Sequence, residues 1–303
     1  MIHEYAIDPR VLATWASNQR DYAEFLREYG VGTPRIISSF PKCRAAKFRS
    51  YLLQRGPADS NSLVAQRYQE MVVKLVGELV LRESDETPGA DWCEFARIEN
   101  NRLPFGAVLS SEVVDTEKSM TLESMYLSGS LWLHPRQTII ERTLIGFTLV
   151  VRDFLRLASN QVVVVDTYGW TREAIVIMQY IVNIVCEGRV NGRLPSITLY
   201  YKTKRDGGSP EAEYVKREIV KGLNNFDPGS LHVVELGEVD GSDVFHNRCI
   251  LTEHGGVITG HGIGVSNETS HTDEILLMES AVYQKKWQQF VEDNRYKIIT
   301  QSI

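Results

Sequence analysis

The rhythm of apolar positions changes near residue 160. Before it they recur mostly three and four residues apart; after it short apolar runs alternate with amphipathic stretches. The first 85 or so residues read as helices. Asp8-Pro9 opens a segment with Val11, Leu12, Trp15, Tyr22, Phe25 and Leu26 in helical register, and Gly30 closes it. Proline in the first turn and glycine past the end are the usual helix punctuation. A second helix is predicted from about 42 to 54 and a third from about 60 to 82, where Leu63, Val64, Tyr68, Met71, Val72, Leu75, Val76, Leu79 and Val80 keep helical spacing. The polar run SDETPGADW, 84 to 92, marks a boundary. Residues 93 to 135 show no clear period, and MTLESMYLSGSLWLHP reads equally as a helix or as edge strands. Residues 136 to 159 predict one long amphipathic helix, in which Gly146 costs about 1 kcal/mol relative to alanine.

From residue 160 the reading is α/β. Val162 to Val165 form a continuous apolar run, as in a strand buried on both faces. A helix from 171 to 187 follows, with Thr171 as its cap. A strand at 196–203, a helix at 210–226 with Pro210 in its first turn, and a strand at 230–236 continue the pattern. Strand, helix, strand, helix, strand implies a parallel sheet with right-handed crossovers. Two further strands, HNRCILT and GVITG, flank Glu253-His254-Gly255, and a last helix spans about 279 to 292. The expected organisation is a mainly helical N-terminal region (1–90), a connecting region carrying the long helix (91–157), and a C-terminal α/β domain (158–303) whose sheet is flanked by helices.

Composition narrows the class. The 303 residues are 43% hydrophobic and 24% charged, as in an ordinary globular protein. No apolar run approaches the roughly 18 to 20 residues of a membrane span. MIHEYAIDPRVLATW has no basic stretch ahead of an apolar one, so no signal peptide is read. Cys43, Cys93, Cys186 and Cys249 lack CxxC spacing, and a reducing cytoplasm is the expected location. A net charge of -6 argues against a globally basic nucleic-acid binder but leaves room for a local patch. Residues 35 to 57 supply one: Arg35, Lys42, Arg44, Lys47, Arg49 and Arg55, with no acid among them. Two readings stand. The segment is a phosphate-binding footprint, or it is a solvated face whose acids lie on a neighbouring segment.

Ligands of open α/β sheets sit beyond the carboxyl ends of the strands. Three polar clusters fall there: Asp166-Thr167-Tyr168, Lys202-Thr203-Lys204-Arg205, and FHNRCILTEHGGVITGHGIG at 245 to 264. In the last, Arg248 follows His246 by two positions, Glu253 follows Arg248 by five, and Gly260-His261-Gly262 come next. This spacing resembles one half of the phospholipase D-like superfamily motif: His, any residue, Lys, four residues, Asp, six residues, then Gly-Ser. Arg stands for Lys, Glu for Asp, and His261 for Ser. VVVVDTYGWTREAI is similar to the first strand and tip of such domains, and the resemblance covers roughly 158 to 303. Degenerate members of the superfamily occur in modules that bind membranes or proteins and in bacterial anti-phage systems.

The resemblance implies the following chemistry. A neutral His attacks phosphorus and forms a covalent intermediate, a second His protonates the leaving oxygen, and cations hold the non-bridging oxygens. No metal or other cofactor is expected. A chain with one motif supplies one His, so an active site requires a homodimer. His246 is then a nucleophile, a residual phosphate-site residue, or a hydrogen-bonded strand-end histidine. Arg248 would hold phosphate, although its guanidinium fork is larger and planar. Glu253 would support the loop. Lys202, Lys204, Arg205, Gly260 and His261 join the basic segment as candidate phosphate contacts.

Rival readings of the same residues remain. Four of the seven histidines, His246, His254, His261 and His271, fall close together with Asp243 and Glu253, which raises a metal site, yet no HExxH spacing is present. GHGIG resembles a phosphate-cradling loop, but a polar run follows it where a helix would begin, and close backbone approach explains its glycines as well. Trp132, Tyr168, Trp170, Tyr200 and Tyr201 are base-stacking candidates or core and rim aromatics. The leading expectation is a degenerate phospholipase D-like protein that binds a phosphodiester polymer, DNA first, with protein partners in a bacterial defence complex. The alternatives are an active homodimeric, metal-independent nuclease, and a protein-interaction or peripheral membrane module.

Overall fold

The computed structural model describes residues 1–84, 91–204, 208–238, 248–266, 268 and 270–303. They form two compact units: Met1–Pro135 with Val190–Gly192, and Arg136–Arg189 with Arg193–Ile303. This division coincides with neither expected break, at 90 or at 157.

Beside the expected helices the first unit carries a four-stranded sheet that the apolar rhythm does not predict. β1 (His3–Ile7), β2 (Arg35–Ile37), β3 (Ala107–Ser110) and β4 (Ser119–Thr121) run parallel in the order β2-β1-β3-β4. Its helices are α1 (Pro9–Ser17), α2 (Gln19–Glu28), α3 (Ala45–Leu53), α4 (Leu63–Gly77) and α5 (Trp92–Arg102). Successive residues of β1 face opposite sides, as the pleat requires. Tyr5 and Ile7 join a core with Leu12, Trp15, Tyr68 and Met71, whereas Ala6 packs with Phe40, Trp92 and Phe95. The predicted first helix is two helices, because the Asn18 side chain accepts the amides of Arg20 and Asp21 and restarts the chain as α2.

The second unit carries β5 (Gln137–Glu141), β6 (Gln161–Asp166), β7 (Ser196–Lys202), β8 (Leu231–Gly237), β9 (Cys249–Thr252), β10 (Gly255–Thr259), β11 (Thr272–Leu277) and β12 (Lys297–Ser302). They form one sheet in the order β12-β8-β7-β6-β9-β10-β11-β5. β6, β7 and β8 are parallel, as the alternating pattern predicts, and the other pairings are antiparallel. α6 (Leu144–Arg156), α7 (Arg172–Cys186), α8 (Ala212–Lys221) and α9 (Ser280–Trp287) complete the unit. The mixed α/β class is therefore as expected. Thr171 caps α7 by accepting the Ala174 amide.

The predicted long helix from 136 to 159 is a strand followed by a helix. Residues 137 to 141, QTIIE, pair along β11 at the sheet edge, where β-branched side chains fit the pleat. The Thr143 hydroxyl then accepts the Gly146 amide at 3.0 Å and starts α6. Among the described residues no helix is long and apolar enough to cross a membrane.

Candidate functional site

The register of the second sheet assembles a polar row. Val165 pairs with Cys249 across β6 and β9, which sets Asp166 beside Arg248 one step further on. Ile258 pairs with Cys249 across β10 and β9, so Thr259 faces Arg248, and its amide donates to the Arg248 carbonyl at 3.1 Å. On the other side Asp166 pairs with Tyr201, Tyr201 with Glu235, and Glu235 with Thr300. Residues paired in this way share one face of a sheet. Glu235 is satisfied by the Ser209 and Thr300 hydroxyls, and the Tyr201 hydroxyl donates to the Pro210 carbonyl. The row's end at Asp166, Arg248 and Thr259 lies at the carboxyl end of the parallel strands, where this sheet class holds ligands.

Two buried carboxylates fix the turn after β10. Asp273 accepts the amides of His261 (2.9 Å) and Glu274 (2.8 Å). Asp166 accepts those of Tyr168 and Ile263, each at 2.6 Å. Gly262 has φ +91°, and a Cβ there would collide with the Asp166 carboxylate and lie 3.3 Å from Cδ of Arg248. A Cβ at Gly260 would come within 2.8 Å of Asp273. The glycines thus serve close backbone approach, one of the two readings the sequence left open. Burial raises the pKa of Asp166; the Tyr168 and Ile263 amides and the charges of Arg248 and Arg142 oppose the rise without cancelling it.

Arg248 donates from Nη1 to the Gly260 carbonyl at 2.9 Å, and its guanidinium carbon lies 5.8 Å from the Tyr168 ring centre. Its Nε is buried and has no hydrogen-bond partner among the described residues. The same holds for Arg142 Nε, Thr167 Oγ1, Trp170 Nε1 and Thr259 Oγ1. Arg142 belongs to this neighbourhood, since its Nη2 is 3.4 Å from where a Gly264 Cβ would be. A buried donor left unmade costs about 1–3 kcal/mol. Arg142 and Arg248, whose charges act on Asp166, and Thr259, which faces Arg248, gather three such groups at one buried aspartate. Arg142 and Thr259 escaped the sequence reading. Arg142 was placed inside a helix, and the polar step before the Thr143 cap is the signal that could have freed it.

The structure sets two of the motif positions, Arg248 and Glu253, at opposite ends of β9. His246 and Arg205 lie outside the described residues. Glu253 follows β9, so it sits at the far end of the strand from Arg248, about 17 Å away at strand rise. It accepts Ser159 N (2.5 Å), Ser159 Oγ (2.8 Å), Asn160 N (2.9 Å) and Gln161 N (3.3 Å), fixing the entry into β6. Glu253 therefore anchors the entry into β6. Burial opposes its ionisation, but the neighbouring His254 and the Ser159 donors outweigh burial and hold its pKa low.

Other candidates take structural roles. Arg35 is 5% exposed, lies 3.1 Å from Glu28, and stacks 3.9 Å from the Trp132 ring centre, so it is removed from the phosphate set. Lys202 pairs with Glu238 at 2.6 Å. Lys204 is exposed, with its ammonium 4.3 Å from the Trp170 ring centre. His254 is buried against the Leu157 carbonyl, His271 pairs with Glu268, and His261 is exposed. Among the described residues no three His, Cys, Asp or Glu side chains converge as metal ligands. Of the aromatics, Tyr201 and Trp132 are buried and Tyr200 packs on Phe290, while Tyr168 is 51% exposed beside Arg248. In the first unit Arg44, Lys47 and Arg49 are exposed and Lys42 is half-buried.

No family model matches the sequence, and no curated protein matches it. Among solved structures, a phospholipase D family member, Nuc from Salmonella typhimurium, aligns over 55% of this chain and 99% of its own at 9% identity, with a TM-score of 0.36. TrmBL2, an archaeal chromatin protein whose structure shows a novel mode of DNA binding, aligns over 55% of both chains at 12% identity, with a TM-score of 0.31. Likeness at this level carries no argument about activity, which rests on the residues themselves.

Proposed function

We propose that the protein binds a phosphodiester polymer, DNA first, through the strand-end site around Arg248, as a degenerate phospholipase D-like protein. The observation that carries this reading is the set of buried donors on Arg142, Arg248 and Thr259 beside Asp166 that find no partner among the described residues. A phosphodiester offers two non-bridging oxygens rich in lone pairs and one negative charge. Two guanidinium groups and a hydroxyl match that demand, and Arg binds phosphate in a fixed fork. Exposed Lys204 and Tyr168 extend the same strand ends outward for a chain longer than one phosphate. Placing such a binder in a bacterial defence complex rests on the motif resemblance alone, and co-purification of a partner protein tests it.

One observation favours a second reading, an active nuclease. Glu253 anchors the entry into β6 through its donors, so the Glu-for-Asp exchange leaves the motif's frame standing with Arg248 at the ligand end. In that reading His246 attacks phosphorus, the bridging P–O bond breaks, and a histidine from a second copy protonates the leaving oxygen.

Labelled single- and double-stranded DNA in EDTA, with parent, Arg248→Ala and His246→Ala, decides between them. Binding without cleavage that Arg248→Ala weakens supports the binder. EDTA-resistant cleavage abolished by His246→Ala makes the protein a hydrolase and overturns it. Neither binding nor cleavage leaves the interaction-module alternative.

A further inference from the structure

The first unit carries a cationic surface of its own. No acid occurs between Glu28 and Asp59, although the chain as a whole has a net charge of -6. Within this interval α3 and its flanks line an open concavity with Lys42, Lys47, Ser50, Tyr51, Gln54 and Arg55, and none of its lining residues is acidic. Arg44, Lys47, Arg49 and Arg55 are exposed. Spacings of three and four residues bring Arg44, Lys47, Tyr51 and Arg55 onto one side of the α3 segment.

Tyr51 organises the cations. The Arg55 guanidinium lies 3.8 Å from its ring centre and the Lys42 ammonium 5.1 Å. Arg55 also donates to the Tyr51 carbonyl at 3.3 Å. Cations held on an aromatic face lose less rotamer freedom when an anion arrives. From Lys47 to Arg55 the segment advances about 12 Å at helical rise. That is the axial reach of roughly three or four phosphates of one DNA strand.

We propose that this concavity is a second, sequence-independent site for the phosphate backbone of duplex nucleic acid. Its donors are point charges and guanidinium groups suited to phosphate, and contacts of that kind position a duplex without reading its bases. Tyr51 is engaged by the two cations and serves as their anchor. A membrane surface would instead call for projecting apolar side chains, and the lining offers only Ala46 besides the tyrosine. The site stands independently of the Arg248 reading.

The test is the salt dependence of binding of short labelled duplexes of two unrelated sequences to the full chain in EDTA. The parent is compared with a Lys42→Ala, Lys47→Ala, Arg55→Ala triple variant, with Arg248→Ala, and with Lys47→Arg. Each phosphate contact contributes about 0.9 to the slope of log K against log salt. The triple variant should flatten the slope by about 2.7 for both sequences equally, with an unchanged circular dichroism spectrum. Lys47→Arg should bind like the parent, and Arg248→Ala should leave the loss caused by the triple variant intact. An unchanged slope in the triple variant overturns the proposal. So does a result in which the triple variant loses binding to phosphatidylserine vesicles while its duplex binding stays at the parental level.

Discussion

Replacing Glu253 tests whether the third motif position supports the sheet or touches the ligand. Its side chain is 16% exposed and accepts four hydrogen bonds, three from the consecutive amides of Ser159, Asn160 and Gln161 and one from the Ser159 hydroxyl. A hydrogen bond to a charged group contributes about 1.5–3 kcal/mol net, and a donor stranded in the interior costs about 1–3 kcal/mol. Asn160 is exposed, so water replaces part of its bond. Counting chiefly the Ser159 and Gln161 donors, Glu253→Ala should cost about 3–5 kcal/mol. Glu253→Gln keeps the volume and one acceptor oxygen and should cost about 1–2 kcal/mol. Because the folded-state pKa is lowered, the carboxylate's stabilisation is complete above its ordinary pKa of about 4.3. It fades as pH falls through the lower folded value, so the gap between parent and Glu253→Gln should close in acid. Urea unfolding followed by circular dichroism reads these differences, and DNA binding is measured on the folded variants. A Glu253→Ala protein as stable as the parent but unable to bind DNA would refute the supporting role.

Gly262→Ala should destabilise by about 1–3 kcal/mol or more, the cost of a strained left-handed residue, because the added methyl also meets the Asp166 carboxylate. It should weaken DNA binding as well. Gly129→Ala, at φ +50° with nothing within 4 Å of the added carbon, is the control for backbone strain alone and should leave binding unchanged. In the first unit burial, then the charges of His3 and Arg35, push the His134 pKa down to about 3, while the unfolded chain titrates near 6.5. The unfolded state therefore binds the extra proton. Stability should be level above about pH 6.5 and fall as pH drops from there towards 3. A His134→Gln variant should show a shallower fall, and identical pH profiles would contradict the assignment.

The second unit was legible where burial and period agree. Val162 to Val165 read as a doubly covered strand, and the alternation with amphipathic segments yielded the parallel β6-β7-β8 core. β5 was lost because its two isoleucines continue the apolar rhythm of α6, and only the Thr143 cap separates them. The strands of the first unit run three to five residues, too short to establish a period, and their pairing partners are far apart in sequence. Motif spacing brought Arg248 and Gly260 to the strand ends because β9 and β10 carry the chain away and back. The same spacing sent Glu253 to the opposite end, since a whole strand separates it from Arg248. Arg142 reaches the site from an edge strand that spacing within the motif does not address. Charge type alone placed Arg35 in the basic patch. Its burial depends on Trp132 and Glu28, which the local pattern does not include.

The most direct measurement is calorimetric titration of a thymidine dinucleotide, a single phosphodiester, into the parent, Arg248→Ala and the α3 triple variant. A ligand this short isolates one phosphate site from the avidity of a longer strand. The strand-end assignment predicts binding by the parent and by the triple variant, with Arg248→Ala weaker by about tenfold to a hundredfold, the value of a lost charge-assisted hydrogen bond. Equal affinity in parent and Arg248→Ala, or no binding by the parent, would contradict it.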